Sequence, residues 1–332
     1  MGEDYSDFFG PDVSTYSGFL SLVGAVGALS SETALLFGAS GFVGRYTGAL
    51  LSALGVRVVG ATSATPEDVA PHSGINSWVR ADLGDSKSLN AALDDVKPDL
   101  VINSARHGFA RGAEESFEPM WSVNALGVGY LLEALREYPQ ARIVQVGSST
   151  EYQPSSKPLA ENSPKEPVGD FGRSKVAASA LVTSWARGFG RKAAIVRPFK
   201  IYGPGEHRHR FLPTLFDAVL TGTQVPLAEG TRRDYVHVWD VAGSIVRAAL
   251  VASDEVPEFS VGTGVSHSPA DVVELVESIT GKQVAIAPGA MPSDPIDVAE
   301  WRADTTAMRQ QLGWMPEVSL EEGLHAWWQQ IS

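Results

Sequence analysis

The sequence predicts an α/β fold: a doubly wound parallel sheet carrying a smaller, mixed α/β C-terminal lobe. Three observations support this expectation. Short apolar runs alternate with helical patterns through the first two thirds of the chain. A glycine-punctuated turn joins the first run to the first helix. Beyond Pro198 the pattern breaks into short pieces separated by Pro and Gly. Short apolar strands that alternate with helices need both sheet faces covered. Right-handed crossovers then wind the sheet in both directions.

The elements follow in order. Residues 33 to 38, TALLFG, form the first strand, and 42 to 54 the helix behind it. Strands are expected at 56 to 61 and 78 to 83. Asp85 opens a helix over 85 to 96, because its carboxylate can accept from the orphan N–H groups of a first turn. A fourth strand spans 98 to 105, and a long helical pattern over 114 to 137 stops before Pro139. A fifth strand at 141 to 149, a helix at 172 to 187 and a sixth strand at 192 to 198 complete the regular part. Segments 240 to 252 and 257 to 264 are regular enough to return to the sheet. The division expected is therefore discontinuous: an extension over 1–30, a main domain over 31–198 plus 236–262, and a second lobe over 199–235 plus 263–332.

The bulk properties narrow the function. The chain has 332 residues, 44% hydrophobic and 20% charged, the balance of an ordinary soluble globular protein. A net charge of −13 argues against nucleic acid or an anionic membrane as partner, but local arginines can still hold a small anion. There is no cysteine, so disulfides, thiol nucleophiles and thiolate metal sites are excluded. The seven histidines show no HExxH spacing, and no metal site is expected. The apolar stretch 19 to 30, FLSLVGAVGALS, falls short of the ~20 residues of a membrane span. Acidic residues precede it, unlike a signal peptide. A helix docked on the main body is expected there, with cytoplasmic residence.

The turn FGASGFVGR, residues 37 to 45, sets Gly38, Gly41 and Gly44 at GxxGxxG spacing between strand and helix. Such a turn lets backbone approach a pyrophosphate at a helix N-terminus, the Rossmann-type arrangement for a dinucleotide. The end of the second strand reads GATSATP, with no acid before Glu67. Thr62 and Ser63 can bond a ribose 2′-phosphate and Arg45 can approach it, so NADP is expected, with NAD as the alternative. Asp82 either accepts from an adenine amino group or caps a turn.

Eight stretches in order resemble the extended short-chain dehydrogenase/reductase family, in the branch that modifies nucleotide-linked sugars. They are GASGFVG, ADLGD, VINSA, VNALGVGYLLEAL, VGSSTEY, RPFKIYGPGE, RRDYVHVWDVA and LGWMPEVSLEEGL, spread over about residues 33 to 330. The resemblance implies an NAD(P)-dependent oxidoreductase acting on a nucleoside-diphosphate sugar. A ketoreductase of deoxysugar biosynthesis is favoured over an epimerase or dehydratase. It makes Ser148 the catalytic hydroxyl, with Ser149 and Thr150 as adjacent alternatives one or two positions on. It makes Lys175 the lysine that binds the nicotinamide ribose, and Asn124 the structural asparagine beside it. The cofactor contacts implied are Gly38, Ser40, Gly41, Phe42, Val43, Gly44, Thr62, Ser63, Asp82, Leu83, Ser104, Ala105, Asn124, Lys175 and Pro198. The substrate contacts implied are His107, Ser149, Thr150, Lys200, Arg210, Arg233 and Arg302. Helices 114 to 137 and 172 to 187 match the pair that builds family dimers, so a homodimer is expected.

The departures matter as much. The family's tyrosine in YxxxK is Phe171 here, four residues before Lys175 and on the same helical face. Phenylalanine has no proton to give. Lys200 replaces the asparagine of RxFNxYGPG, and Met291 replaces an arginine of an RPGD-like stretch, a loss Arg302 could cover. Three readings of Phe171 stay open. It is an introduced change that inactivates the protein, or the mark of a natural enzyme using Ser148, His107 or a relayed water. The third reading is a non-catalytic, cofactor-binding regulatory protein.

Overall fold

The computed structural model describes residues 12–16, 18, 19, 22, 29–108, 117–228, 230–288 and 300–332. Its centre is a seven-stranded sheet in the order β3-β2-β1-β4-β5-β6-β9, parallel throughout. The strands are β1 (Thr33–Phe37), β2 (Arg57–Thr62), β3 (Ser77–Arg80), β4 (Leu100–Asn103), β5 (Arg142–Val146), β6 (Ala193–Pro198) and β9 (Glu258–Val261). The chain winds outward from β1 to β3, then returns to place β4 on the other side of β1. That reversal opens a crevice at the carboxyl ends of β1 and β4, where such sheets bind ligands.

Alternation along the strands builds two cores. Ala34 and Leu36 of β1 join Val58, Ile102, Val144 and Val196 on one face. Leu35 and Phe37 join Val59, Val101, Ile143 and Ile195 on the other. The first face is covered by α1 (Phe42–Ala53) and by α7 (Val238–Val251), which pack on each other. The second carries α2 (Ser86–Val96), α4 (Gly127–Ala134) and α5 (Asp170–Phe189). Asp85 caps α2, accepting from the Lys87 N–H.

Three strands end earlier than the apolar runs suggest. The fourth strand stops at Asn103 and not 105, the third at Arg80 and not 83, the fifth at Val146 and not 149. The residues cut off leave the ladder at the carboxyl edge and turn into the crevice loops. The helix expected over 114 to 137 is also subdivided. Within the described residues it comprises α3 (Phe117–Trp121), a π-turn (Ser122–Leu126), α4 and a final 3₁₀ turn (Leu135–Glu137). A π-turn inserts one residue per turn and often marks a functional position; Asn124 lies inside this one.

A second sheet pairs β7 (Lys200–Tyr202) in parallel with β8 (Arg233–His237), and β8 antiparallel with β10 (Ser266–His267). Around it α6 (Phe211–Thr221), α8 (Pro269–Thr280) and α9 (Leu320–Ile331) enclose a third core of Tyr202, Leu215, Phe216, Val272, Val276, Leu324 and Trp327. Between β8 and β10 the chain goes back to the large sheet: α7 covers it and β9 pairs with β6.

Most of the apolar stretch 19 to 30 lies outside the described residues. Tyr16, Leu22 and Leu29 are buried in the α1–α7 core. The Tyr16 ring stacks on Trp239 with centroids 5.7 Å apart, and its hydroxyl donates to Asp240 at 3.3 Å. Asp240 also accepts from the Glu317 and Val318 N–H groups. Among the described residues, no helix is long and apolar enough to cross a membrane. None of them forms a group of three His, Cys, Asp or Glu able to hold a metal.

Candidate active site

The crevice begins at the glycine turn. Gly38 has φ +75, a conformation that costs a side-chain-bearing residue dearly. A Cβ there would also stand 2.8 Å from the Ala105 nitrogen, and one on Gly44 would overlap the Gly38 carbonyl. At Gly41 a Cβ would meet only the Gly38 carbonyl, at 3.1 Å. No side chain caps α1. Backbone N–H groups of the first turn, around Phe42, Val43 and Gly44, therefore face the crevice with the positive end of the helix dipole. The turn is tied to β4: Ser104 donates through both its N–H and its hydroxyl to the Phe37 carbonyl. Ser40 is exposed in the turn itself, and Ala105 is held by the Asn103 side chain.

The adenosine end is built less distinctively. The Thr62 hydroxyl, at the end of β2, accepts from Ala64 N–H at 3.1 Å, and Ser63 is exposed. Arg45 is buried in α1; burial, and then the charge of Arg45, hold the His72 imidazole below its usual value. Asp82 accepts from Gly84 N–H at 2.8 Å, so its carboxylate caps a turn. Leu83 is buried, and a Cβ on Gly127 would stand 2.7 Å from the Leu83 Cβ.

The catalytic candidates meet where β5 runs into α5. Ser148 opens a short 3₁₀ turn (Ser149–Glu151) as its cap. Its Oγ accepts from the Thr150 N–H at 3.1 Å and from the Thr150 hydroxyl at 2.8 Å. Its N–H donates to Glu151 Oε1 at 2.9 Å. Ser149 is buried. Glu151, fully shut from solvent, accepts from Arg197 Nε at 2.7 Å and the Ser179 hydroxyl at 2.9 Å. Arg197 also bonds Glu258, which Lys165 reaches at 3.2 Å. A buried ion pair of this kind is costly to break from one side, so it fixes the Ser148 turn to β6 and α5.

Lys175 is buried and donates to the Val146 carbonyl at 2.9 Å. Burial, helped by the Arg106 charge and opposed by Glu151, brings its amine down to about 8. Phe171 is buried one turn earlier. Gly172 follows it because a Cβ there would overlap the Thr150 carbonyl; the N-terminus of α5 is thus pressed against the serine turn. Asn124 donates to the Ser174 hydroxyl and the His107 carbonyl, each at 3.0 Å, and accepts from His107 N–H at 2.8 Å. It joins the loop after β4 to α5, while the His107 residue itself is exposed.

Pro198 closes β6, and Lys200 begins β7 opposite Tyr235. Lys200 and Arg210 converge electrostatically on Glu206: burial raises its carboxyl to about 7, against the pull of both cations. Arg233 bridges to Trp301, next to Arg302, whose carbonyl accepts from Leu159 N–H at 2.9 Å. Arg232 turns away to Asp271 at 2.9 Å. The part assigned to Met291 lies outside the described residues. Sequence reasoning missed Ser174 and Ser179 and gave Glu151 no clear place. Ser174 and Ser179 lie on α5 beside Lys175, but serine on a helix is too common to signal a contact.

The sheet and the glycine turn at its carboxyl edge define a dinucleotide-binding α/β protein. The chain belongs to the NAD dependent epimerase/dehydratase family, whose model matches residues 34–262. A dTDP-6-deoxy-L-talose 4-dehydrogenase (NAD(P)(+)) of Kitasatospora kifunensis is 30% identical over 306 residues, covering 88% of this chain and 93% of that one. A UDP-glucose 4-epimerase of Mycolicibacterium smegmatis is 29% identical over 304 residues, 87% of this chain and 95% of that one. Among solved structures, MoeE5 in complex with UDP-glucuronic acid and NAD superimposes with a TM-score of 0.81 at 28% identity, over 90% of this chain and 98% of that one. Thermus thermophilus UDP-glucose 4-epimerase in complex with NAD gives 0.78 at 26% identity, over the same shares.

Proposed function

We propose that this chain is an NAD(P)-dependent oxidoreductase of a nucleoside-diphosphate sugar, acting as a ketoreductase on a nucleotide-linked deoxysugar. One observation carries the reading: Ser148 caps the turn that follows β5, Lys175 donates to Val146 at the end of the same strand, and Asn124 is bonded to Ser174 beside Lys175 on α5. The 4-dehydrogenase and 4-epimerase names of the relatives support a nucleotide-sugar substrate, and an epimerase is the alternative within the same chemistry.

The residues present fit a dinucleotide: Gly38 and Gly44 let the turn close against β4 and against itself, and no side chain caps the N-terminus of α1. The α1 N-terminus would hold its pyrophosphate, Lys175 its nicotinamide ribose, and Thr62 and Ser63 the adenosine ribose. The bound cofactor supplies hydride transfer. The chain's own groups then have two tasks. Ser148 gives a hydrogen bond to the reacting oxygen. Lys200, Arg210, Arg233 and Arg302 supply positive charge for the diphosphate. Residues 31–198 plus 236–262 serve as the cofactor domain and 199–235 plus 263–332 as the substrate lobe. Exposed Leu126, Tyr130 and Leu181 support a homodimer through α4 and α5, in the cytoplasm.

Phe171 favours one competing reading, a regulatory protein that binds cofactor without turnover. The test is hydride exchange: purified protein with NAD⁺ or NADP⁺ and a panel of UDP- and dTDP-hexoses, followed by the absorbance of the reduced nicotinamide. Slow, substrate-dependent reduction is expected. Tight cofactor binding with no reduction by any sugar nucleotide would favour the regulatory reading.

A further inference from the structure

A serine hydroxyl has one proton and two lone pairs. At Ser148 both lone pairs are taken by one residue: the Thr150 N–H at 3.1 Å and the Thr150 hydroxyl at 2.8 Å. The Ser148 proton therefore cannot turn toward Thr150. It has no acceptor among the described residues, and Ser148 is only partly buried. This hydroxyl is set as a donor directed away from its own turn.

The turn around it does not yield easily. Ser148 N–H is held by Glu151, which is locked in turn by Arg197 and Ser179. Gly172 presses the start of α5 against the Thr150 carbonyl, immediately after Phe171. Thr150 thus stands against the first turn of the helix that carries Phe171. Thr150 is itself only partly buried, so water can reach its hydroxyl.

We propose that Thr150 is a positioning residue that makes Ser148 the proton donor of this site, and that the Ser148–Thr150 hydroxyl pair is the proton route in place of a tyrosine. The inference rests on the oxidoreductase reading above. As the carbonyl carbon takes a hydride from a reduced nicotinamide, its π electrons move to oxygen. That oxygen takes the Ser148 proton, and the Ser148 oxygen takes the Thr150 proton along the existing hydrogen bond. Thr150 takes a proton from solvent water, and the hydroxide left passes to buffer. Oxidation of the alcohol runs the same route backward. Serine and threonine are weak acids, so the route is slower than one through a phenol, in line with the ~10²- to 10⁴-fold worth of a well-matched acid.

The test compares T150V and T150S with the wild type, and T150V/F171Y with F171Y. Valine keeps the shape and the N–H bond but removes the hydroxyl donor. T150V is expected to lower kcat roughly 10-fold or more and to flatten the curvature of rates in mixed H₂O/D₂O. T150S should recover most of that loss. Calorimetric Kd for NAD⁺ should stay within about twofold in T150V, since no cofactor contact falls to Thr150. In the F171Y background the same substitution should matter little, because a phenol takes over. Unchanged kcat in T150V, or equal losses in T150V and T150S, would overturn the relay while leaving the oxidoreductase reading intact. A wild type that binds UDP-glucose and nicotinamide cofactor but exchanges no hydride overturns that reading and the relay together.

Discussion

Lys175 is the residue whose chemistry is most altered by its surroundings. It is buried, among the described residues without a carboxylate in hydrogen-bond reach, its ammonium resting on the Val146 carbonyl. Burial brings it to about 8, while an unfolded chain leaves lysine near ~10.4. Below about 8 the amine is charged in both states, and the folded protein bears the desolvation cost. Between about 8 and 10 the unfolded chain binds more protons, so stability rises with pH. The gain from this group is roughly 3 kcal/mol. Urea unfolding at stepped pH should show that rise in the wild type and a flatter profile in K175M; parallel profiles would contradict it. The family resemblance assigned Lys175 and Phe171 through the YxxxK pattern, and a four-residue interval puts the two on one helical face. It could not reveal that Thr150 occupies both lone pairs of Ser148, since that depends on rotamers.

At the scale of elements, apolar runs located the strands, and the Asp85 cap located the start of α2. Strand ends were less legible, because hydrophobicity continues past the last ladder bond into the crevice loops. Asn103 ends β4, yet Ser104 and Ala105 extend the same run. The π-turn was not legible at all: Asn124 is bonded to residues 17 and 50 positions away, which no local pattern records. The N-terminal segment is a similar case. Its attachment depends on Tyr16 stacking on Trp239 and donating to Asp240, 224 residues on. Y16A should lower stability by roughly 3 kcal/mol and raise amide exchange in the N-terminal segment. Wild-type exchange there, with unchanged stability, would show that the stack holds nothing down.

Across the whole molecule, the topological reversal between β1 and β4 places the glycine turn, Ser104, Ser148 and Pro198 along one edge of the sheet. The return of α7 and β9 to that sheet was legible from their regular patterns. The second lobe was less so, because its strands are two to five residues long and are stabilised by distant partners. Leu126 and Tyr130, four residues apart, and Leu181 leave an apolar face on adjoining helices, larger than an isolated surface residue explains. Sedimentation should show a dimer, and L126E/L181E a monomer that still binds cofactor. A monomeric wild type would remove the dimer.

The central claim is that the chain binds its cofactor and lacks the phenol that would protonate the substrate oxygen. Its most direct test is F171Y, measured against the wild type for nicotinamide reduction by UDP- and dTDP-hexoses at equal cofactor saturation. A gain of roughly 10²- to 10⁴-fold in kcat with little change in cofactor Kd is the expected result. Brisk wild-type turnover left unchanged or lowered by F171Y would contradict the account.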